Sequence, residues 1–224
     1  MSARTLPDWE QLLSAAAHLQ QVLPGATLVG GTAAAIYAGH RVSYDADHVL
    51  TDLSARFDEV LAQLESVAGW QTARVNRPVL TLGSLDGIET GVRQLMRERP
   101  LETQTVTVAG VQVVLPTEAE MLRIKAVLIL KRNATRDYLD FAAISDRVGP
   151  ETTLGALADF DRLYPQPSGE SALQQLHIQL ANPLPYDLED TDLTEYRRLH
   201  PQWHDWRRVS DTCAAIAGEI FHGL

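Results

Sequence analysis

Residues Leu28–Leu50 read LVGGTAAAIYAGHRVSYDADHVL, a pattern that predicts a strand, a glycine turn, a short helix, a polar loop and a second strand. Gly30 and Gly31 follow the apolar start directly, and glycine lets a main chain turn tightly and lets a phosphate approach it closely. Thr32 can cap the helix, whose first N–H groups suit an anion, and Gly39 is expected to end it. The first half of the stretch therefore predicts a phosphate-sized turn at the start of a helix.

Two carboxylates stand at the start of the second predicted strand. Asp45 and Asp47 are separated by one residue, and strand alternation places such a pair on the same face. Carboxylates placed in this way repel each other unless a cation lies between them. Mg²⁺ is commonly held by one or two carboxylates together with substrate phosphates. The glycine turn and the paired carboxylates therefore predict a metal-dependent nucleotide site.

This arrangement resembles the nucleotidyltransferase superfamily, which has the fold of DNA polymerase β and carries a glycine pair followed by Asp-x-Asp or Asp-x-Glu. The surrounding letters are similar to the AbiEii/MenT group, the toxin enzymes of bacterial type IV toxin–antitoxin systems. The matching positions are Gly30, Gly31, Thr32, Gly39, His40, Arg41, Ser43, Asp45 and Asp47. Taken singly, a glycine pair is turn chemistry and Asp-x-Asp is a solvated pair; their combination favours an enzyme site.

The resemblance implies an α/β (α+β) fold, with a mixed sheet flanked by helices and a helical C-terminal region. Its implied metal ligands are Asp45, Asp47 and a third carboxylate on a neighbouring strand, for which Glu89 is the candidate and a plain surface glutamate the alternative. The implied catalytic residues are Asp45, Asp47, Lys125 and Asp137. The implied nucleotide-binding residues are Gly30, Gly31, Thr32, Ser43, Lys125 and Arg136.

Lys125 lies within an otherwise apolar stretch of a predicted helix. Proteins of the AbiEii type place a lysine on this helix and an Arg-Asp or Lys-Asp pair at the start of the next, which Arg136 and Asp137 match. The resemblance implies that Lys125 contacts the nucleotide phosphates and that Asp137 orders the site. The alternatives are that Lys125 extends to the surface and that Arg136 forms an i,i+4 ion pair with Asp140.

Hydrophobic periodicity and turn signals divide the chain into an α/β part, 1–115, and a helical region, 116–224. The resemblance implies that the first is the nucleotidyltransferase core and that the second completes the active-site groove. Asp86-Gly87 is a strong hairpin signal, and Thr117 and Glu120 have capping-box spacing. Thr135 can cap a second helix of the C-terminal region. The predicted helices include 8–23, 53–68, 152–163, 171–180 and 193–221, and the predicted strands include 70–75, 79–85, 88–95, 104–108 and 111–115.

Composition restricts the class of protein. The net charge of −10 argues against a protein that coats nucleic acid generally. The single cysteine, Cys213, excludes a disulfide framework within this chain. No apolar signal region and no run of membrane-spanning length occur, so we expect a cytoplasmic protein without a membrane partner.

The expected activity is Mg²⁺-dependent transfer of a nucleotide from an NTP, and the resemblance implies a tRNA 3′ end as acceptor and a cognate antitoxin as partner. A protein hydroxyl is another acceptor. A small-molecule nucleotidyltransferase that modifies an antibiotic, or a non-catalytic partner-binding member of the fold, are the alternative functions. An RNA acceptor would need a basic patch, for which the candidates are Arg93, Arg97, Arg99, Lys131, Arg132 and Arg136.

Overall fold

The structure is a computed structural model that describes residues 8–223. The chain forms two compact units: the first comprises the chain to Ile36 and Ser43–Pro116, and the second comprises Tyr37–Val42 and the chain from Thr117 onward. The architecture is mixed α/β with a helical C-terminal part, which confirms the predicted fold class.

The first unit is built on a five-stranded sheet in the order β1-β2-β5-β4-β3. Strand β2 pairs with β5 in parallel and with β1 antiparallel, and the pairs β3–β4 and β4–β5 are antiparallel. A two-stranded antiparallel sheet, β6–β7, belongs to the same unit. The strands are β1 Thr27–Leu28, β2 Asp45–Leu50, β3 Trp70–Asn76, β4 Leu80–Leu85, β5 Ile88–Gln94, β6 Thr103–Val108 and β7 Val111–Pro116.

Three helices belong wholly or mainly to the first unit: α1 Trp9–Val22, α2 Gly30–Ala38 and α3 Phe57–Glu65. Apolar side chains of α1 and α3 pack against one face of the large sheet and form its core, which contains Leu19, Leu23, Leu50, Val60, Leu64, Leu85 and Val92. Removal of this apolar surface from water stabilises the layer. One face of β2 is thereby committed to the core.

The second unit is helical: α4 Glu118–Arg132, α5 Thr135–Val148, α6 Pro150–Leu157, α7 Phe160–Leu163, α8 Ala172–Ala181 and α9 Trp206–Gly223. Helix α9 packs against α5 and α8, and Trp203, Tyr138 and Phe141 are fully buried. The Thr117 side chain accepts a hydrogen bond from the Glu120 N–H at 3.2 Å, as the capping spacing predicts.

Several predicted helix boundaries are wrong. Residues 53–68 divide into a single 3₁₀ turn, Leu53–Ala55, and α3, and residues 152–163 are shared between α6 and α7. The helix predicted over 193–221 begins only at Trp206, because the segment before it contains consecutive turns and Pro201.

Two predicted helix caps are also wrong. Helix α2 begins at Gly30, so Thr32 is inside it rather than at its cap. Helix α5 begins at Thr135, whose main-chain N–H and hydroxyl both donate to Asp187 Oδ1, at 2.7 and 2.8 Å. The cap of α5 is thus supplied by a residue 52 positions further along the chain.

Within residues 8–223, no helix combines the length and the apolar character that a bilayer crossing requires.

Two glycine substitutions test the packing of the sheet. A Cβ at Gly83 would lie 2.5 Å from the main-chain oxygen of Gln71 and 2.7 Å from the Trp70 ring. Because a main-chain atom cannot yield cheaply, we expect Gly83→Ala to lower the free energy of unfolding by about 1–3 kcal/mol. A Cβ at exposed Gly218 in α9 meets nothing within 4 Å. Because alanine favours a helix more than glycine does, Gly218→Ala should raise the free energy of unfolding by about 0.5–1 kcal/mol. Urea unfolding measures both, and equal effects of the two variants would contradict the packing described for β3 and β4.

Candidate active site

Strand β2 presents Asp45 and Asp47 on one face and Ala46, His48 and Leu50 on the other, as alternation predicts. Both aspartates are half-buried, whereas Ala46 and His48 are fully buried. Burial lowers the pKa of His48 to about 4, so its imidazole is neutral at physiological pH. The strand therefore separates a carboxylate face from a core face.

Hydrogen bonds from the preceding loop and helix hold the two aspartates. The Ser43 hydroxyl donates to Asp45 Oδ1 at 2.8 Å, and the Thr32 hydroxyl donates to the main-chain oxygen of Asp45 at 2.5 Å. The Val29 N–H donates to the main-chain oxygen of Asp47 at 2.8 Å. The start of α2 and the carboxylate strand are thus a single hydrogen-bonded feature, in which the buried Thr32 fixes β2.

Glycines flank Asp47 on two sides. A Cβ at Gly30 would lie 3.7 Å from Asp47 Oδ2, and a Cβ at Gly91 would lie 3.4 Å from Asp47 Oδ1. Gly30 also has a φ of +75°, a conformation that favours glycine. The absence of side chains at both positions leaves the Asp47 carboxylate approachable by an ion or a phosphate.

Strand β5 adds charged residues beside the pair. In the parallel register Asp45 lies opposite Glu89, and Asp47 lies opposite Gly91. Arg93 places its Nε 4.0 Å from Asp47 Oδ1, with its side chain about half exposed (48%). The carboxylate face is therefore acidic, and Arg93 offsets part of its negative charge.

The donor set fits a hard cation that also takes ligands from a substrate. Two carboxylates on one strand face are hard oxygen donors of the kind that Mg²⁺ prefers, and Mg²⁺ retains waters or phosphate oxygens in its remaining positions. Across residues 8–223, no three His, Cys, Asp or Glu side chains already converge on one point. Glu89 is exposed, and its role as third ligand remains a prediction.

The second unit contains a separate charged cluster centred on Asp140. Arg41 donates to this carboxylate with Nε and Nη2, at 2.7 and 2.9 Å. Lys125 Nζ lies 2.7 Å from Asp140 Oδ2, and His40 Nε2 lies 2.7 Å from Asp140 Oδ1. Every member of this cluster is buried.

Electrostatics decides the protonation states in this cluster. Burial acts to raise the pKa of Asp140, yet Arg41, Lys125 and His40 together hold that pKa well below its usual range. Burial, as the largest effect, lowers the pKa of His40 despite its hydrogen bond to Asp140. Asp140 is therefore a carboxylate held by Arg41 and Lys125.

The other predicted residues of the second unit lie close to this cluster. Arg132 donates to both oxygens of buried Asp137, at 3.0 and 2.7 Å, and Lys125 Nζ lies 3.9 Å from Asp137 Oδ1. Lys125 is only 3% exposed in its side chain, so the alternative of a lysine that extends to the surface is wrong. Arg136 is exposed, and Asp140 is occupied by other cations rather than by an i,i+4 pair with Arg136.

The predicted site residues thus fall into two groups. Asp45, Asp47, Glu89, Gly30, Gly31, Thr32 and Ser43 belong to the first unit, and Lys125, Arg136 and Asp137 belong to the second. Sequence reasoning missed Asp140 as the centre of the second group, although Asp140 follows Asp137 by one helical turn. His40 and Arg41 matched the resemblance, but no local signal could pair them with a residue about 100 positions away.

No family model matches the chain. It is similar, however, to curated proteins over part of its sequence and to solved structures in its fold. It is 42% identical over 124 residues to the heme uptake protein MmpL11 of Mycobacterium tuberculosis, and 35% identical over 124 residues to the mycolic acid-containing lipids exporter MmpL11 of Mycolicibacterium smegmatis. Each match covers 54% of this chain but only 12% and 13% of the respective relative. The chain therefore spans a small part of these proteins.

Solved structures share the fold over much more of the chain. A nucleotidyltransferase-like protein of Helicobacter pylori aligns with 95% of this chain and 93% of its own, with a TM-score of 0.56 at 15% identity. The antibiotic-resistance factor ANT(2″)-Ia aligns with 75% of this chain and 96% of its own, with a TM-score of 0.51 at 14% identity. At such identities the likeness establishes the fold alone, and the fold is that of nucleotidyltransferase-like proteins.

Substitution of Asp140 tests the charged cluster of the second unit. Asp140→Asn leaves the buried cations Arg41 and Lys125 without their carboxylate, so we expect the free energy of unfolding at pH 7 to fall by about 3–5 kcal/mol. Because the folded-state pKa of Asp140 lies below its unfolded value, its stabilisation is present above about pH 4. That stabilisation is lost as the pH falls through the lower folded-state pKa. The difference between wild type and variant should therefore shrink in strong acid.

The matched control is Asp146→Asn on the same helix. Asp146 forms an exposed pair with Arg208 at 2.7 Å, so its loss should change stability by less than about 1 kcal/mol. Urea unfolding at pH 7 and in strong acid measures both variants. A similar, small effect of both substitutions at pH 7 would show that the Asp140 cluster does not stabilise the second unit.

Proposed function

We propose that this chain is an Mg²⁺-dependent nucleotidyltransferase of the AbiEii/MenT type that transfers a nucleotide from an NTP to an RNA acceptor, the 3′ end of a tRNA. The observation that carries the proposal is the carboxylate face of β2 in a nucleotidyltransferase-like fold, where Asp45 and Asp47 share one face and Asp47 lies beside Gly30 and Gly91. The subtype and the acceptor rest on the sequence resemblance. A cognate antitoxin as partner rests on the same resemblance.

Asp45 and Asp47 are the proposed ligands of the metal. Mg²⁺ held by these carboxylates would neutralise charge on the reacting phosphates and would lower the pKa of the acceptor hydroxyl. The hydrogen bond from Ser43 restricts the rotation of Asp45, so the carboxylate is held in place before the substrate arrives. Fixed donors of this kind need little rearrangement in the transition state.

The start of α2 is the proposed triphosphate site. The first N–H groups of a helix have no partner within it, and the helix dipole favours negative charge there. Gly30 and Gly31 leave the main chain open to a phosphate. In the reaction, an acceptor hydroxyl oxygen forms a bond to the α-phosphorus, the bond to pyrophosphate breaks, and the hydroxyl proton is released. Positioning and charge supply most of the acceleration in such transfers.

Lys125 has a structural role in the second unit and a predicted role in binding phosphate. Its ion pairs with Asp140 and Asp137 fix the ammonium within the second unit, and contact with phosphate remains a prediction from the resemblance. Arginine presents a wider planar group than the lysine ammonium. For this reason Lys125→Arg should not fully restore the use of NTP that Lys125→Ala loses.

A small-molecule acceptor is the second candidate. The observation in its favour is the fold shared with the antibiotic-resistance factor ANT(2″)-Ia. The acidic carboxylate face and the net charge of −10 would suit a cationic acceptor. The two candidates differ in their dependence on salt, because an RNA acceptor releases counterions on binding and a small molecule does so much less.

The central prediction concerns the two carboxylates. Asp45→Asn and Asp47→Asn should each lower transfer at least about 100-fold, because several kcal/mol of metal-dependent charge stabilisation is lost. The assay incubates the protein with each labelled NTP and total cellular RNA, with and without Mg²⁺, and follows label in the RNA. Circular dichroism and thermal unfolding should remain close to those of wild type.

The control is Asp52→Asn, which removes an exposed carboxylate that pairs with Arg56 at 2.8 Å and should leave transfer unchanged. Mg²⁺ should raise the melting temperature of the wild type more than that of Asp47→Asn, which reports binding independently of turnover. Full activity of either β2 variant would assign the metal to other residues and defeat the proposal. Transfer to a small cationic acceptor, with none to RNA, would instead establish the second candidate.

A further inference from the structure

Arg197 and Arg198 occupy a left-handed turn in the segment that precedes α9. Their φ angles are +46° and +51°, and the Leu199 N–H donates to the main-chain oxygen of Tyr196 at 2.8 Å. Positive φ at both central residues with this hydrogen bond is the pattern of a type I′ turn. Such turns strongly favour Asn-Gly, because a Cβ is crowded in this conformation.

Other non-glycine residues with positive φ have a local explanation. Asp86 and Ala109 precede glycines in hairpin turns, and Asn133 is the left-handed C-cap of α4. Arginine has no such tolerance, and neither arginine ends a helix or joins paired strands. Strain that persists at residues poorly suited to it is a reason to look for function in their side chains.

The turn is braced against the segment 40–42 of the same unit. The Val42 N–H donates to the main-chain oxygen of Arg197 at 2.9 Å, and the His200 N–H donates to the main-chain oxygen of His40 at 2.7 Å. Between those two contacts lies Arg41, which is fixed by its two bonds to Asp140. The turn is therefore attached to a rigid feature, and in the sequence Val42 is followed three residues later by Asp45.

Charge is segregated around this turn. Residues 197–208 contain four arginines and a single aspartate, whereas residues 187–195 contain five acidic side chains. Arg198 and Arg207 are exposed, and Arg197 is half-buried beside the Tyr196 ring. Residues 197–208 therefore carry more positive than negative charge in a chain of net charge −10, although Arg208 is paired with Asp146 at 2.7 Å.

We infer that the Arg197–Arg198 turn is a phosphate-contacting element for a polynucleotide acceptor. This inference rests on the proposed function, since it names the surface by which the enzyme would hold RNA. Guanidinium groups form strong, charge-assisted bonds to phosphate oxygens. The braced turn carries two of them on a main chain that has little freedom left to lose on binding, which favours affinity.

The test exploits the strain. Arg197→Asn/Arg198→Gly installs the residues that the turn itself prefers, so thermal stability should be unchanged or higher. Binding of fluorescein-labelled tRNA, followed by anisotropy, should weaken roughly tenfold. We also expect a change in the slope of the logarithm of the tRNA association constant against the logarithm of the salt concentration. This slope should become shallower by about 1.4 if two contacts with a single-stranded acceptor are lost. Binding of a fluorescent NTP analogue should not change.

The control is Arg56→Asn/Arg162→Asn, which removes the same charge from two surface arginines that pair with Asp52 and Asp159. It should leave tRNA binding close to wild type. The inference is overturned if wild type does not bind tRNA, if the two double variants bind it equally, or if the turn variant loses stability together with affinity. A loss confined to the NTP analogue also overturns it. A further outcome separates this inference from the proposed function. If the wild type binds tRNA but transfers no nucleotide to it, and the turn variant binds tRNA more weakly, the inference is supported and the proposed function is refuted.

Discussion

The two faces of β2 impose the constraint on which the first unit depends. Ala46, His48 and Leu50 lie on the buried face of the strand, where Leu50 joins the core that α1 and α3 build, and the period of two then forces Asp45 and Asp47 to the opposite face. A shift of one residue would bury both carboxylates and expose the apolar set. The Thr90 hydroxyl, which donates to the main-chain oxygen of Ala46 at 2.5 Å, secures the parallel register with β5. The packing that stabilises the sheet is therefore also what aims the carboxylates.

The Asp140 cluster plays a comparable part in the second unit by a different physical means. A buried ion pair adds little stability beyond what apolar residues of the same volume would provide, since desolvation offsets the attraction. Its geometry is nevertheless demanding, because Arg41 must meet both carboxylate oxygens at once. This requirement explains why residues 37–42 belong with the helices of the second unit, although they are separated from them in the sequence. The main effect of the buried charges is therefore to fix the position of residues 37–42 within the second unit.

Local signals predicted the elements in which period and turn chemistry agree. The alternation of β2, the hairpin at Asp86-Gly87 and the cap from Thr117 to Glu120 could each be recognised from a few neighbouring residues. The cap of α5 could not, because Asp187 reaches Thr135 from 52 positions away. The helix predicted from residue 193 failed for a further reason: apolar spacing continued through a turn that Arg197 and Arg198 adopt against their own preference. The fold could be predicted, whereas the long-range partners of the site could not.

The acidic balance of the chain is compatible with binding to a polyanion, because charges act locally in salt solution. At physiological ionic strength the Debye length is about 8 Å, so distant carboxylates are largely screened from a bound phosphate. Two of the acids within residues 187–195 also accept internal hydrogen bonds. Asp187 caps α5, and the Thr194 hydroxyl and main-chain N–H donate to Asp192 and lower its pKa. What a phosphate meets at the turn is therefore decided by the arginines that its backbone presents, and an overall charge of −10 is a poor guide to that surface.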